Sequence, residues 1–170
     1  MGERDTWEVI IRFFHVISGI TWIGLLYYFN LVQGWAFPKM DAAARTNATQ
    51  FLVPRALLFF RYAALSTVVF GILWIIVHSG GFDDPGKQYF DTARFKSVAV
   101  GGTLGILMFL NVWGIIWPNQ KKIIAAAQTG GTADPAWGRR ATLASRSNVA
   151  MSIPMLFFMI AAPFLARLWN

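Results

Sequence analysis

Four long apolar runs, roughly 7–32, 56–77, 97–117 and 150–169, are separated by short polar stretches. Each approaches or exceeds the roughly 20 residues that an α-helix needs to cross a bilayer core. The pattern predicts an all-α integral membrane protein, a four-transmembrane-helix bundle in a single domain covering 1–170. Its spans are expected at about 7–32, 56–78, 95–117 and 149–169. Trp7 suits an interface at the start of the first span, and Pro38 stops its continuation. Met40–Gln50 has good helix formers and predicts a short interfacial helix, while Pro54 fits the first turn of the second span. Gly80–Lys87 is dense in turn formers and predicts a compact external turn. After the third span, the run from Trp117 predicts a short amphipathic basic helix on the cytoplasmic side, broken by Gly130–Pro135.

Composition agrees. The chain has 170 residues, is 56% hydrophobic and only 14% charged, whereas a soluble domain carries about a quarter charged residues. A net charge of +7 reads, in so apolar a chain, as membrane topology rather than nucleic-acid binding. Lys39, Arg45, Arg55, Lys121, Lys122, Arg139, Arg140 and Arg146 flank one side of the spans. Arg4, Arg12, Lys87, Arg94, Lys96 and Arg167 flank the other. Counting Lys and Arg predicts both termini outside, periplasmic if the membrane is a bacterial inner membrane. The mixed charge of Gly2-Glu3-Arg4-Asp5 and the length of the first run predict a retained span, not a cleaved signal peptide. With no cysteine, disulfides, thiolate-held clusters and covalent c-type haem are excluded. A non-covalent b-type haem on histidine remains open.

His15 carries the candidate chemistry. It lies within the first span, where an ionisable side chain is costly and function is the default hypothesis. Imidazole ligates haem iron or relays protons; a buried structural hydrogen bond accounts for it equally well. Topology places Arg12, His15, His78, Arg94 and Lys96 toward one side of the membrane, where an anionic ligand such as a porphyrin propionate or quinone head would suit the charge. His15, His78, Arg12 and Lys96 form the candidate cofactor-binding set, with His15 the candidate metal ligand. The plainer reading makes His78 a helix-end cap and Arg12, Lys96 and Arg61 snorkelling anchors. His15 is expected roughly 6–10 Å deeper than His78, which disfavours one iron between them. Asn30, Asn111, Asn148 and Ser152 form an inner polar layer suited to interhelical hydrogen bonds, and Gly19, Gly24, Gly101, Gly102 and Gly105 suit close packing. Beyond Glu8 at the entry of the first, the spans contain no carboxylate for a proton relay, and no pattern points to nucleophilic catalysis, a phosphate loop or zinc.

Three segments carry a family resemblance: Ile11–Gly24 with Tyr27-Tyr28-Phe29, Asn111–Lys121, and Ala144–Met159. Together they resemble the membrane domain of the bacterial urate hydroxylase, or urate oxidase N-terminal, family. The resemblance implies redox or haem chemistry at the outer end of the bundle. That family typically adds a C-terminal cytochrome c; this cysteine-free chain is expected to be a stand-alone or truncated membrane module. It has Ala161-Ala162-Pro163 where the family often has a histidine, so no second ligand is implied. The chain is more distantly similar to the four-helix membrane protoporphyrinogen oxidase family, which implies roles for His15 and for Lys96. The expected function is a small integral subunit of a cytochrome-linked redox or energy-converting complex. It would be seated in the bilayer against other membrane subunits, with haem b on His15. The alternative is a haem-dependent membrane oxidase acting on urate-like or porphyrinogen substrates, with a transporter third.

Overall fold

The computed structural model describes residues 2–79, 87–90 and 92–168. Among them there is no strand. Four helical rods are long and apolar enough to cross a membrane: α1 (Glu3–Lys39), α2 (Ala42–His78), α4 (Ala93–Gln128) and α5, which runs Pro135–Leu168. A short α3, Lys87–Phe90, precedes α4. Most of the turn expected at Gly80–Lys87 lies outside the described residues.

The rods outrun the expected spans because helix formation does not stop where the apolar pattern stops. Helix α1 continues through a π-helical segment, Tyr28–Gln33, to Lys39. The helix expected near Met40–Gln50 is the beginning of α2: Asp41 caps it by accepting from the Ala44 N–H at 2.8 Å. It joins the second span through a π segment, Ala48–Leu52, directly before Val53 and Pro54. The basic run after the third span likewise continues α4 through the π segment Val112–Ile116, with Pro118 just beyond it. Two of the three π segments precede a proline, whose missing N–H and ring strain an α-helical ladder. Gly130, at φ 71°, closes α4 in the left-handed region that glycine adopts freely. Helix α5 begins at Pro135 rather than near 149, so Arg139, Arg140 and Arg146 ride on it.

Helix α1 packs along α2 and α4 along α5, giving two antiparallel hairpins. The hairpins share a core at the middle and at the end where the basic residues collect. Trp22, Leu26, Phe60, Ala64, Met108 and Val112 are its most buried members. Hydrogen bonds tie the same region across helices, as the inner polar layer predicts. Asn148 and Ser152 are fully buried. Asn148 Nδ2 donates to the Met108 carbonyl at 3.0 Å, and Asn111 Nδ2 donates to Asn148 Oδ1 at 2.9 Å. Asn30 Nδ2 donates to Ser145 Oγ at 2.7 Å, and the Tyr27 hydroxyl pairs with Ser152 Oγ at 3.0 Å. In lipid, such bonds and close packing replace the hydrophobic drive between helices. Of the glycines expected to pack closely, Gly101 does so most tightly: a Cβ there would lie 3.1 Å from Met159 Cγ and 3.2 Å from the Met155 carbonyl oxygen of α5. Arg61 does not follow the snorkelling expectation. Its guanidinium carbon lies 3.8 Å from the Trp117 ring centre and 5.1 Å from that of Tyr62, so aromatic faces hold the charge between α2 and α4.

Candidate functional site at the opposite end of the first hairpin

Away from the shared core, the first hairpin is held by a polar seam. Before Trp22, none of the described residues of α1 is fully buried. Phe13, Val16, Ile17 and Ile20 there present apolar side chains outward, as lipid contact requires. Two polar contacts bridge α1 to α2. Ser18 Oγ lies 2.7 Å from Ser66 Oγ, and His15 Nδ1 lies 2.8 Å from the Thr67 carbonyl oxygen. A carbonyl only accepts, so Nδ1 carries the proton and Nε2 keeps its lone pair. No hydrogen bond engages Nε2 among the described residues. The imidazole lies over Gly71: a Cβ there would sit 3.0 Å from both Cε1 and Nδ1. The ring therefore has a fixed tautomer, a fixed plane and one basic nitrogen free. A groove of about 400 Å³ adjoins the seam, lined in part by Ile17, Ser18, Thr21, Tyr62 and Ser66.

Two turns farther along α2, a second cluster closes the end of the hairpin. His78 Nδ1 donates to Glu8 Oε2 at 2.9 Å, and the guanidinium of Arg4 lies 3.4 Å from the other carboxylate oxygen. Arg4 also donates to the His78 carbonyl at 2.7 Å and to that of Val77 at 3.1 Å. Arg4 thus caps the last carbonyls of α2 while His78 is pinned by its side chain. The His78 ring stacks on Trp74, 4.5 Å between centroids and 13° between planes, and meets Tyr89 edge-on at 4.7 Å. The Arg94 guanidinium carbon lies 5.9 Å from the Trp74 ring centre. Burial holds the Tyr89 hydroxyl above its ordinary pKa; Arg94 opposes the rise and Glu8 adds to it.

The structure separates the four sequence candidates. His15 registers with Thr67 and Gly71, and His78 with Glu8. At 1.5 Å rise, the seven residues from Gly71 to His78 put about 10 Å between the two levels of α2. One iron cannot sit between two imidazoles so placed. Arg12 and Lys96 are exposed, and neither has a hydrogen bond or ion pair among the described residues. The cations beside the histidine cluster are Arg4 and Arg94. Glu8, Trp74 and Tyr89 complete that cluster; Trp74 stands one turn before His78 on the same helix face, whereas no local spacing links Glu8 or Tyr89 to it. Among the described residues there is no group of three potential metal ligands.

The class defined by these features is a four-span helical membrane protein with a preset histidine in its first hairpin. Residues 86–168 match the family described as urate oxidase N-terminal. The match takes in α4 and α5, just under half the chain, and relates those spans to that family. It contains two of the three segments that carry the resemblance in sequence; the His15 segment lies outside it. No curated protein and no solved structure matches the chain.

Proposed function

We propose that this protein is a membrane redox module, a small integral subunit of a cytochrome-linked complex in the bacterial inner membrane. His15 offers Nε2 to the iron of a non-covalent b-type haem. The observation that carries this reading is the Nδ1 hydrogen bond to the Thr67 carbonyl over Gly71. Anchoring the distal nitrogen is how proteins fix the tautomer of a ligating histidine and raise its basicity. One such histidine suffices for haem, whereas zinc sites need three or four ligands. The donor set therefore fits haem and does not fit a zinc centre. When bound, haem would supply one-electron transfer. The chain's own residues orient the ligand: Thr67 holds its proton, Gly71 leaves room for its plane, and the Ser18–Ser66 contact keeps α1 against α2. The eight cations that flank one side of the spans, against six on the other, support a topology with both termini in the periplasm under the positive-inside rule.

A reduced-minus-oxidised absorption spectrum of the protein, purified from haem-replete cells, tests the reading. A b-type signal is expected, lost in His15→Ala and kept in His78→Ala. No signal in the parent protein, or one that survives His15→Ala, refutes it. Co-purification of cytochrome or oxidase subunits distinguishes a subunit from a free-standing enzyme. The family match favours a second reading, a haem-dependent oxidase of urate-like compounds. Urate consumption by the isolated, haem-loaded protein would select it.

A further inference from the structure

Among the described residues, the cluster around His78 holds two buried donors without an acceptor: Arg94 Nε and the Tyr89 hydroxyl both lie out of contact with solvent and have no hydrogen-bond partner there. Native proteins satisfy nearly all such groups, and an exception points to a bound water, ion or ligand. The neighbouring charges are already engaged. Glu8 is held by Arg4 and His78, and Arg4 also donates from Nε to the Val77 carbonyl and from a terminal nitrogen to that of His78. Arg94 is left without a carboxylate within ion-pair distance among the described residues. A guanidinium and a phenolic hydroxyl, both bordering the Trp74–His78 stack and both donating, are complementary to an oxyanion. The surrounding faces are aromatic: Trp74 lies under Arg94, and Tyr89 and Phe90 pack against Phe95. Thr67, Gly71, Trp74 and His78 follow one another at spacings of four, three and four, along one face of α2. That face runs from the level of His15 up to Arg94.

We infer that Arg94 and Tyr89 form the anion-binding end of a ligand site. They receive a carboxylate of a flat aromatic amphiphile whose body lies toward His15. Arg94, rather than Arg12 or Lys96, is then the cation that reads the ligand's charge. The inference rests on the haem reading only for the body of the ligand, and its test needs no iron. Metal-free protoporphyrin IX and its dimethyl ester are titrated into the full chain in detergent, following tryptophan quenching. The free acid should bind about tenfold or more tightly, the worth of one charge-assisted hydrogen bond. Arg94→Gln should abolish that preference and Arg94→Lys keep part of it. Tyr89→Phe, which removes one oxygen from an otherwise intact ring, should reduce it several-fold and serves if Arg94→Gln fails to fold. Equal binding of acid and ester, or a preference unchanged in these variants, overturns the inference. Displacement of the acid by dodecyl phosphate at equal or lower concentration also overturns it and assigns the site to a lipid headgroup. A lost haem signal with retained acid preference would refute the His15 reading and leave this one standing.

Discussion

Gly71→Ala isolates the contact that sets the His15 ring. The added methyl would lie 3.0 Å from two imidazole atoms, closer than van der Waals contact allows. The ring must move, and the 2.8 Å hydrogen bond to Thr67 moves with it. Overpacking of this kind costs about 1–3 kcal/mol. Weakening the hydrogen bond adds at most ~1 kcal/mol. Against these, Ala is favoured over Gly inside a helix by about 1 kcal/mol. The terms sum to a net destabilisation of up to about 3 kcal/mol. In a His15→Ala background the obstacle is gone, and the same substitution should stabilise by up to about 1 kcal/mol. The sign reversal is the prediction. Reversible unfolding by SDS in mixed micelles, followed by circular dichroism, measures all four corners of the cycle. Gly71→Ala acting with the same sign and size in both backgrounds would refute the claim that His15 and Gly71 are in contact.

Asn148→Ala removes a fully buried amide that makes one interhelical hydrogen bond through each end. At roughly 0.6 kcal/mol per such bond in a membrane, plus the lost packing, the same unfolding assay should report about 1–3 kcal/mol; a loss below the assay's resolution would show that α4 and α5 do not need the pair. Tyr89 carries a raised pKa, so the folded state resists losing its proton. That contribution is intact below the unfolded value of about 10 and is lost as pH rises through the higher folded value. Alkaline stability curves should therefore fall above about pH 10 and flatten there in Tyr89→Phe, while tyrosinate absorbance should show one group ionising late.

The membrane architecture was legible because twenty-residue apolar runs have few other uses. The ends of the rods were legible only in part. Pro38 read as a stop, and the first rod ends one residue past it, at Lys39; Pro54 read as the first turn of a span, yet helix runs into it unbroken through the π segment Ala48–Leu52. The inner polar layer was legible, since Asn148 and Ser152 in an apolar span must find partners across helices. His15 was legible as a candidate, but its anchor was not. The acceptor is a main-chain carbonyl, which every residue carries, and Gly71 is a glycine among many. Glu8 was not legible as a site residue, because its pairing with His78 spans seventy residues. Lys96 and Arg94 are two residues apart on one helix and so point in different directions. Only the packing of Trp74 and Tyr89 shows which of the two faces the cluster.

The π segment at Val112–Ile116 changes how the third rod counts. Asn111 and Asn119 both line a groove of about 650 Å³ shared with Arg140 and Ser147 of α5. Eight residues of pure α-helix would turn Asn119 by about 80° relative to Asn111. One widened turn absorbs a residue, so the interval behaves as seven and the two amides return to within about 20° of one another. The segment is thus a one-residue phase shift written into the chain. Excising a single residue inside it would lengthen the α-helix and leave both flanks facing as they do now. Excising one anywhere else in the span would rotate Ile124 and the rest of the basic run by about 100° away from their contacts.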